Sequence, residues 1–194
     1  MLGLTPSELY KYFQVNFIPI SIIPDDERHH VQPLLDQAKA YYETSSLSDR
    51  GHRLNRHRCL RIPPKGIAWV PDYLYLKVIH IKDVPQVGIF ASRPLSKGTW
   101  IGNYAGELLP IDHPTRSLHS MGLFDHHAKI ELQVDSKTWG NHSYQPNVIR
   151  KRVFFDGMYH VLLYTLKAVE AHEQLLYNYG KDYWEKLGLE PAVL

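Results

Sequence analysis

Three stretches in the second half of the chain contain residues suited to binding a ligand or to catalysis. They are residues 87–107, residues 141–147 and residues 166–180. A glycine lets a ligand approach the backbone, asparagine and histidine offer polar groups that can bind it, and tyrosines can enclose a cation. Taken singly, each stretch also has a structural interpretation: a bulge at Gly88, a polar turn closed by Pro146, and a core strand containing Tyr177 and Tyr179. Only the combination of the three points to a shared site.

Several common sites are excluded or disfavoured. The chain has no GxGxxG motif after a strand, no GxxxxGK[ST] motif and no GxSxG motif, which leaves dinucleotide, P-loop and serine-hydrolase sites without support. The 12 histidines suggest a metal, but neither His52, His57 and Cys59 nor His126-His127 has a known ligand spacing. We therefore predict no native metal site and interpret these residues as surface groups.

In their order along the chain, the three stretches resemble the SET-domain family of protein lysine methyltransferases. That family shows G-x-G-hydrophobic-F/R-A, then Y-x-G-E, N-H-S-C-x-P-N and G-E-E-L-x-x-D-Y-G. The resemblance covers about residues 73–184 and is closest to compact members without zinc-binding cysteines after the last motif. The matching residues are Gly88 to Ala91, Tyr104, Gly106-Glu107, Asn141-His142-Ser143, Pro146-Asn147, Glu173, Leu175 and Tyr179-Gly180.

The chain also departs from the family pattern. Gln86 replaces the first glycine, Tyr144 the cysteine, His172 the glycine before Glu173, and Asn178 the aspartate. In addition, the segment between Val134-Asp135 and Asn141 is shorter than is common in the family.

The resemblance implies S-adenosyl-L-methionine as cofactor and a protein lysine as acceptor. It implies that Tyr179 is the catalytic tyrosine, that Tyr104 lines the lysine channel, and that Tyr177 tunes the number of methyl groups added. On the cofactor side it implies backbone contacts from the Gly88 segment, adenosine contacts from the Asn-His pair, and an aromatic residue on the adenine. The cofactor-binding candidates are Val87, Gly88, Ile89, Asn141, His142 and Trp184.

Methyl transfer to lysine has a clear physical requirement. The amine must be neutral, whereas a free lysine has a pKa of about 10.4. A dry aromatic channel lowers that pKa because it removes water from the ammonium. The tyrosines near the C-terminus suit this task, since their faces tolerate a cationic product and their hydroxyls orient the nitrogen.

Most of the secondary structure around these residues is predicted to be strand. Helices are predicted over residues 6–14, after a capping box, and over residues 31–44. Strands are predicted over residues 73–81, 87–91, 99–109, 129–134, 148–155 and 158–166, with Asp156-Gly157 as a tight hairpin turn. The predicted fold class is mostly β with a helical N-terminal extension (α+β). The resemblance implies the SET-domain β-clip-like fold of short strands, with knot-like C-terminal threading.

Composition bounds the remaining possibilities. The chain has 194 residues, a net charge of +2 and one cysteine, which indicates about one folded domain without an internal disulfide. We predict a helical N-terminal extension over residues 1–65, a SET domain over 66–180 and an aromatic tail over 181–194. No signal peptide or membrane span is visible, so we expect an intracellular protein, in the cytoplasm or nucleus, with no membrane partner. The likeness to compact bacterial or viral members leaves open whether the cell is a host.

Residues 50–65 form a basic arm with six Lys or Arg residues. Such an arm could bind an acidic surface or nucleic acid through phosphate contacts, or remain solvated without a partner. For the whole protein, the leading hypothesis is a protein lysine methyltransferase, with histones as the commonest acceptors in the family. The alternative is a SET-like binding module that has lost catalysis, which the departures from the family motifs motivate.

Overall fold

The computed structural model describes residue 11 and residues 20–44, 63–81, 83–114, 120–136 and 141–188. The helix predicted over residues 6–14, apart from Lys11, and residues 50–62 of the basic arm lie outside these ranges. The arm's acidic or nucleic-acid partner therefore stays a prediction.

Short strands in three small sheets dominate the described residues, and a helix lies on the N-terminal side. The sheet orders are β1-β2-β10-β7, β3-β9-β8 and β4-β6-β5. This confirms the mostly β class with an N-terminal helix, whereas the β-clip arrangement and the knot-like threading stay predictions. The elements are α1 (Arg28–Thr44), β1 (Leu74–Ile81), β2 (Val84–Ala91), β3 (Trp100–Asn103), β4 (Glu107–Pro110), β5 (Ser120–Asp125), β6 (Ile130–Asp135), β7 (Asn141–His142), β8 (Val148–Phe155), β9 (Met158–Thr165), β10 (Gln174–Tyr177) and α2 (Lys181–Leu187).

The helix predicted over residues 31–44 is confirmed, but it begins three residues earlier, at Arg28. Its apolar stripe buries Val31, Leu35 and Ala38 against the core, as the helical spacing predicts. Pro33 lies in the second turn rather than the first because Glu27 already accepts hydrogen bonds from the backbone of the first turn.

The hairpin predicted at Asp156-Gly157 is confirmed. Both residues have positive φ, 51° and 75°, and Phe155 pairs directly with Met158 across the turn. Two consecutive left-handed residues define the type I′ turn, whose twist matches that of the flanking strands. The β8–β9 ladder then runs unbroken from Phe155↔Met158 to Val148↔Thr165.

The single strand predicted over residues 99–109 is wrong. The chain forms β3 and β4 there, and these pair with different partners: β3 with β9, and β4 with β6. The link between them passes close over the end of β6, where a Cβ on Gly106 would lie 2.2 Å from the Asp135 carbonyl oxygen. Elements β5, β7 and α2 were not predicted, and a strand at Tyr177, where β10 lies, was only an alternative interpretation of the third stretch.

We expect Gly106→Ala to destabilise the fold by about 2–3 kcal/mol, because the atoms in its way are backbone atoms that cannot rotate aside. Gly157→Ala is the matched control. Gly157 has positive φ but no atom within 4 Å of its Cβ position, so it should cost only about 1 kcal/mol of backbone strain. Urea unfolding of both variants checks the difference, and equal losses would contradict the steric explanation.

Hydrogen bonds to Asp125 link helix α1 to the sheets. The Asp125 carboxylate accepts hydrogen bonds from the Tyr42 hydroxyl, from the Tyr159 hydroxyl at 2.8 Å, and from the backbone N–H groups of His127 and Ala128. Burial alone would raise the pKa of Asp125, but these four donors outweigh it and lower the pKa below 3.8.

Because the folded-state pKa of Asp125 is lowered, its contribution to stability is fully present above about pH 4. It is lost as the pH falls through the lower folded-state pKa. Asp125→Asn should cost about 1–3 kcal/mol at pH 7 and flatten the acid limb of the unfolding free energy measured against pH. Asp112→Asn, at an exposed position, is the control and should leave that limb unchanged.

Candidate active site

Strand β10 brings the three chemically suggestive stretches together. It pairs antiparallel with β2, where Leu175 lies opposite Ile89, and parallel with β7, where Tyr177 lies opposite His142. The glycine strand, the Asn-His turn and the terminal tyrosines are therefore neighbours in one four-stranded sheet. This juxtaposition defines the candidate site.

Asn147 holds β10 in place. Its amide nitrogen donates to Glu173 Oε1 at 2.9 Å and to the Gln174 carbonyl at 2.8 Å, and its Oδ1 accepts from the Leu176 N–H at 2.8 Å. Only 2% of Asn147 is exposed, so these bonds are shielded from water. The sequence analysis quoted Asn147 in a motif but assigned it no role; its place at the end of N-H-S-x-x-P-N was the available signal.

Tyr104, Tyr177 and Tyr179, which we call the tyrosine cluster, lie side by side. The ring centroids are 6.2 Å apart for Tyr104 and Tyr177 and 4.8 Å apart for Tyr177 and Tyr179. The hydroxyl of Tyr177 is hydrogen-bonded to that of Tyr104, and a further bond joins Tyr177 and Tyr179. The three residues predicted to be catalytic are thus in mutual contact.

Burial decides the ionisation of this cluster. It raises the pKa of Tyr104 to about 12 and the pKa values of Tyr177 and Tyr179 well above 10. All three are therefore neutral phenols near pH 7. They can donate and accept hydrogen bonds, but none is poised to act as a general base.

An aromatic wall continues from the cluster into α2. The indole of Trp184 stacks on Tyr179 with an interplanar angle of 9° and meets the His142 ring with centroids 4.9 Å apart. Tyr183 packs edge-on against Tyr179 at 4.8 Å. Tyr144 covers the other edge of His142 and is 61% exposed. Trp184 therefore lies beside both the tyrosine cluster and the Asn-His turn.

The imidazole of His142 is oriented by the backbone of Tyr179. Its Nδ1 accepts a hydrogen bond from the Tyr179 N–H at 3.1 Å, which places the ring proton on Nε2. Burial lowers the pKa of His142, so the ring is neutral near pH 7. Its Nε2–H is enclosed and has no partner among the described residues.

Further enclosed donors lie on β7, β10 and α2. In the described part of the chain, the Nδ2 of Asn141, the Nε2 of Gln174 and the Nε1 of Trp184 are buried without a hydrogen-bond partner. Leaving such groups unsatisfied costs free energy, which a ligand with acceptor atoms would recover. S-adenosyl-L-methionine carries a carboxylate, ribose hydroxyls and adenine nitrogens, so these residues fit that cofactor. The sequence analysis did not single out Gln174, which directly follows Glu173 of the last motif.

The glycine strand lies next to Gln174. Val87 is 2% exposed, and Ile89 pairs with Leu175 of β10. A Cβ on Gly88 would lie 2.8 Å from the Gln174 amide nitrogen and 2.9 Å from the Phe90 ring. The absence of a side chain at Gly88 therefore makes room for this chain's own residues, while the cofactor contact of the Gly88 segment stays a prediction.

His172, which replaces a glycine of the family pattern, has a backbone conformation that favours glycine. His172 adopts φ 66°, in the left-handed region that a glycine would occupy without strain, and its Nδ1 lies 3.3 Å from the Tyr75 hydroxyl. The shortened segment before Asn141 includes residues 137–140, which lie outside the described ranges.

The described residues contain neither a metal-binding cluster nor a membrane-spanning helix. No group of three or more His, Cys, Asp or Glu side chains is arranged to hold a metal ion. Neither described helix combines the length and the apolar character that crossing a membrane would require.

Comparison with known proteins agrees with the geometry. Residues 86–180 match the family model of the SET domain. Among curated proteins, the chain is 26% identical over 113 residues to the histone-lysine N-methyltransferase EZH2 of Chaetomium thermophilum, covering 50% of this chain and 7% of that protein. It is 30% identical over 107 residues to the histone-lysine N-methyltransferase EZ2 of Zea mays, covering 50% and 12%. The chain thus matches only a small part of these relatives' length.

Among solved structures, the methyltransferase domain of human histone-lysine N-methyltransferase SETMAR shares the fold. The TM-score is 0.51 at 24% identity, covering 63% of this chain and 49% of that one. Residues 86–180 of the chain thus form a SET domain, the domain that defines a family of protein lysine methyltransferases.

Proposed function

We propose that this protein transfers a methyl group from S-adenosyl-L-methionine to the side-chain amine of a protein lysine. The observation that carries the proposal is one juxtaposition: a buried, neutral tyrosine cluster lies directly beside enclosed donors that have no partner. The first environment suits an amine that must be neutral, and the second suits a polar cofactor. Family membership supports the same assignment, because SET-domain proteins use this donor and acceptor.

The tyrosine cluster would receive the acceptor lysine. Its aromatic faces desolvate the ammonium and lower its pKa, and its hydroxyls orient the nitrogen lone pair. Tyr179 would act at the reacting atoms, Tyr104 would line the channel, and Tyr177 would limit how many methyl groups fit. The ammonium proton would leave to solvent, because no phenol of the cluster is ionised near pH 7.

On the other side of Tyr179, the cofactor would be held by Asn141, His142, Gln174 and Trp184, together with the backbone of residues 87–89. When bound, it supplies a methyl group activated by a sulfonium. The enclosed donors of Asn141 and Gln174 would satisfy its acceptor atoms, and the indole of Trp184 offers a flat apolar face for the adenine. These roles are inferred from the unpartnered atoms and from the family resemblance.

The chain's organisation belongs to the same proposal. Residues 66–180 would form the catalytic domain, residues 1–65 an N-terminal extension with its basic arm, and residues 181–194 the tail that supplies Trp184. Histones are the leading acceptor candidates because the similar proteins are histone-lysine methyltransferases. An intracellular location, in the nucleus or cytoplasm, is proposed on the same basis.

Two measurements test the proposal. Titration calorimetry should detect binding of S-adenosyl-L-methionine, and incubation of cell lysates or core histones with the labelled cofactor should give labelled lysine by mass spectrometry. Binding without any transfer would favour the alternative, a catalytically inactive SET-like binding module. If neither cofactor binding nor methyl transfer is detected, the proposed function is overturned.

A further inference from the structure

Arg150 of β8 contacts the backbone of the tyrosine cluster at Tyr179. Its Nη2 lies 3.5 Å from the Tyr179 carbonyl oxygen, within a long hydrogen bond. The same nitrogen is 3.9 Å from the point where a Cβ on Gly180 would lie. Both distances place the half-buried guanidinium next to the peptide link between Tyr179 and Gly180. The sequence analysis gave this residue no role.

The side chain of Arg150 ends in a guanidinium group, which carries a positive charge. Its field reaches the hydroxyls of both Tyr104 and Tyr177, where it lowers the pKa against the larger effect of burial. In a buried setting, a charge several ångströms away interacts far more strongly than it would in water.

The other titratable groups around the cluster come from several elements. Tyr183 faces it from α2 and His142 from β7, and both are neutral near pH 7. Glu107 and Asp135 are paired in register on β4 and β6, next to the link that carries Tyr104. Among the described residues named here, Arg150 carries the positive charge.

We propose that Arg150 is a positioning residue whose fixed positive charge disfavours the ammonium form of the acceptor lysine and so favours the reactive neutral amine. This inference rests on the proposed function. The ammonium gives its proton to solvent, the nitrogen lone pair forms the bond to the methyl carbon as the carbon–sulfur bond breaks, and the positive charge passes from sulfur to nitrogen. Only the first of these steps is assisted by Arg150.

The pH profile of methyl transfer tests this role. With core histones as acceptor, Arg150→Gln should move the acidic limb of kcat to higher pH by about 1.5 units, as expected for a charge about 8 Å away at an effective dielectric constant of about 20. Arg150→Lys keeps the charge and should restore the wild-type limb. Arg152→Gln, the same change on the same strand but bonded to the Phe124 carbonyl, should not move it.

Three outcomes would overturn the inference. They are an unmoved limb in Arg150→Gln, an equal shift in Arg152→Gln, and equal loss of activity in both Arg150 variants without a change in pH dependence. The last pattern would indicate a purely structural contact with Tyr179.

A second measurement needs no acceptor, so it separates failure of this inference from failure of the proposed function. The protein is made with 3,5-difluorotyrosine, whose phenol is more acidic, and is titrated by fluorine NMR with resonances assigned from Tyr→Phe variants. The ionisation midpoints of residues 104 and 177 should rise in Arg150→Gln but not in Arg150→Lys, while that of residue 159, beside Asp125, should not change. Unchanged midpoints at 104 and 177 would overturn the inference even for an active enzyme. If the wild-type protein neither binds the cofactor nor transfers a methyl group, the proposed function is overturned instead.

Discussion

Replacing Tyr179 by Phe is expected to reduce methyl transfer by about 100- to 1000-fold, the usual effect of deleting one well-placed hydrogen-bond donor from a catalytic site. The hydroxyl of Tyr179 is hydrogen-bonded to Tyr177, and its ring contacts both the Tyr177 ring and the indole of Trp184. Phe keeps that ring, so packing and cofactor binding should survive. The loss should appear in kcat, with the cofactor Kd changed by less than about threefold.

Tyr164→Phe is the matched control for this prediction. Tyr164 is also buried, burial raises its pKa to about 12, and its hydroxyl has no partner among the described residues. It packs against Trp100 rather than against the tyrosine cluster. Activity should therefore be retained in Tyr164→Phe. Equal losses in both variants would show that the Tyr179 hydroxyl has no special part in catalysis.

Asn147→Ala should lower the free energy of unfolding by about 3–4 kcal/mol. The substitution removes three buried hydrogen bonds at once and leaves the Leu176 N–H and the Glu173 carboxylate without these partners. Each enclosed group left unsatisfied costs about 1–3 kcal/mol, and part of that cost can be relieved by water entering the gap. Because β10 carries Gln174, cofactor binding should weaken as well.

Asn178→Ala serves as the comparison on the same segment. Asn178 is exposed, and its Oδ1 accepts a hydrogen bond from the Gly180 N–H at 2.8 Å, which water can replace. Its loss should cost less than about 1 kcal/mol. Denaturant unfolding of both variants measures the two losses in the free energy of unfolding. If the loss in Asn147→Ala is as small as that in Asn178→Ala, β10 is held by its strand neighbours alone.

Features governed by neighbouring residues were predictable from the sequence. The hairpin at Asp156-Gly157 depends on two residues that accept positive φ, and α1 depends on the apolar spacing of Val31, Leu35 and Ala38. The order of the motifs pointed to the SET-domain family, which the family model confirms. These signals are local or linear, so they can be read without knowing which segments meet.

Features that depend on distant segments were missed. The break between β3 and β4 arises where the Tyr104–Gly106 link passes over Asp135, a contact with no trace in the apolar pattern of residues 99–109. Strands β7 and β10 are two and four residues long, too short to show a period, and each is defined by its pairing with the other.

The tyrosines, amides and glycines that the chain can use, and their order, follow from the amino-acid sequence alone. The folded chain adds three facts: Tyr104, Tyr177 and Tyr179 share one buried network, Asn147 and Gln174 belong to the same site, and Arg150 contacts Tyr179. These facts depend on folding because burial and hydrogen bonding across strands set the ionisation of these groups. Both arise from residues about 30 to 70 positions apart, whose meeting no local pattern encodes.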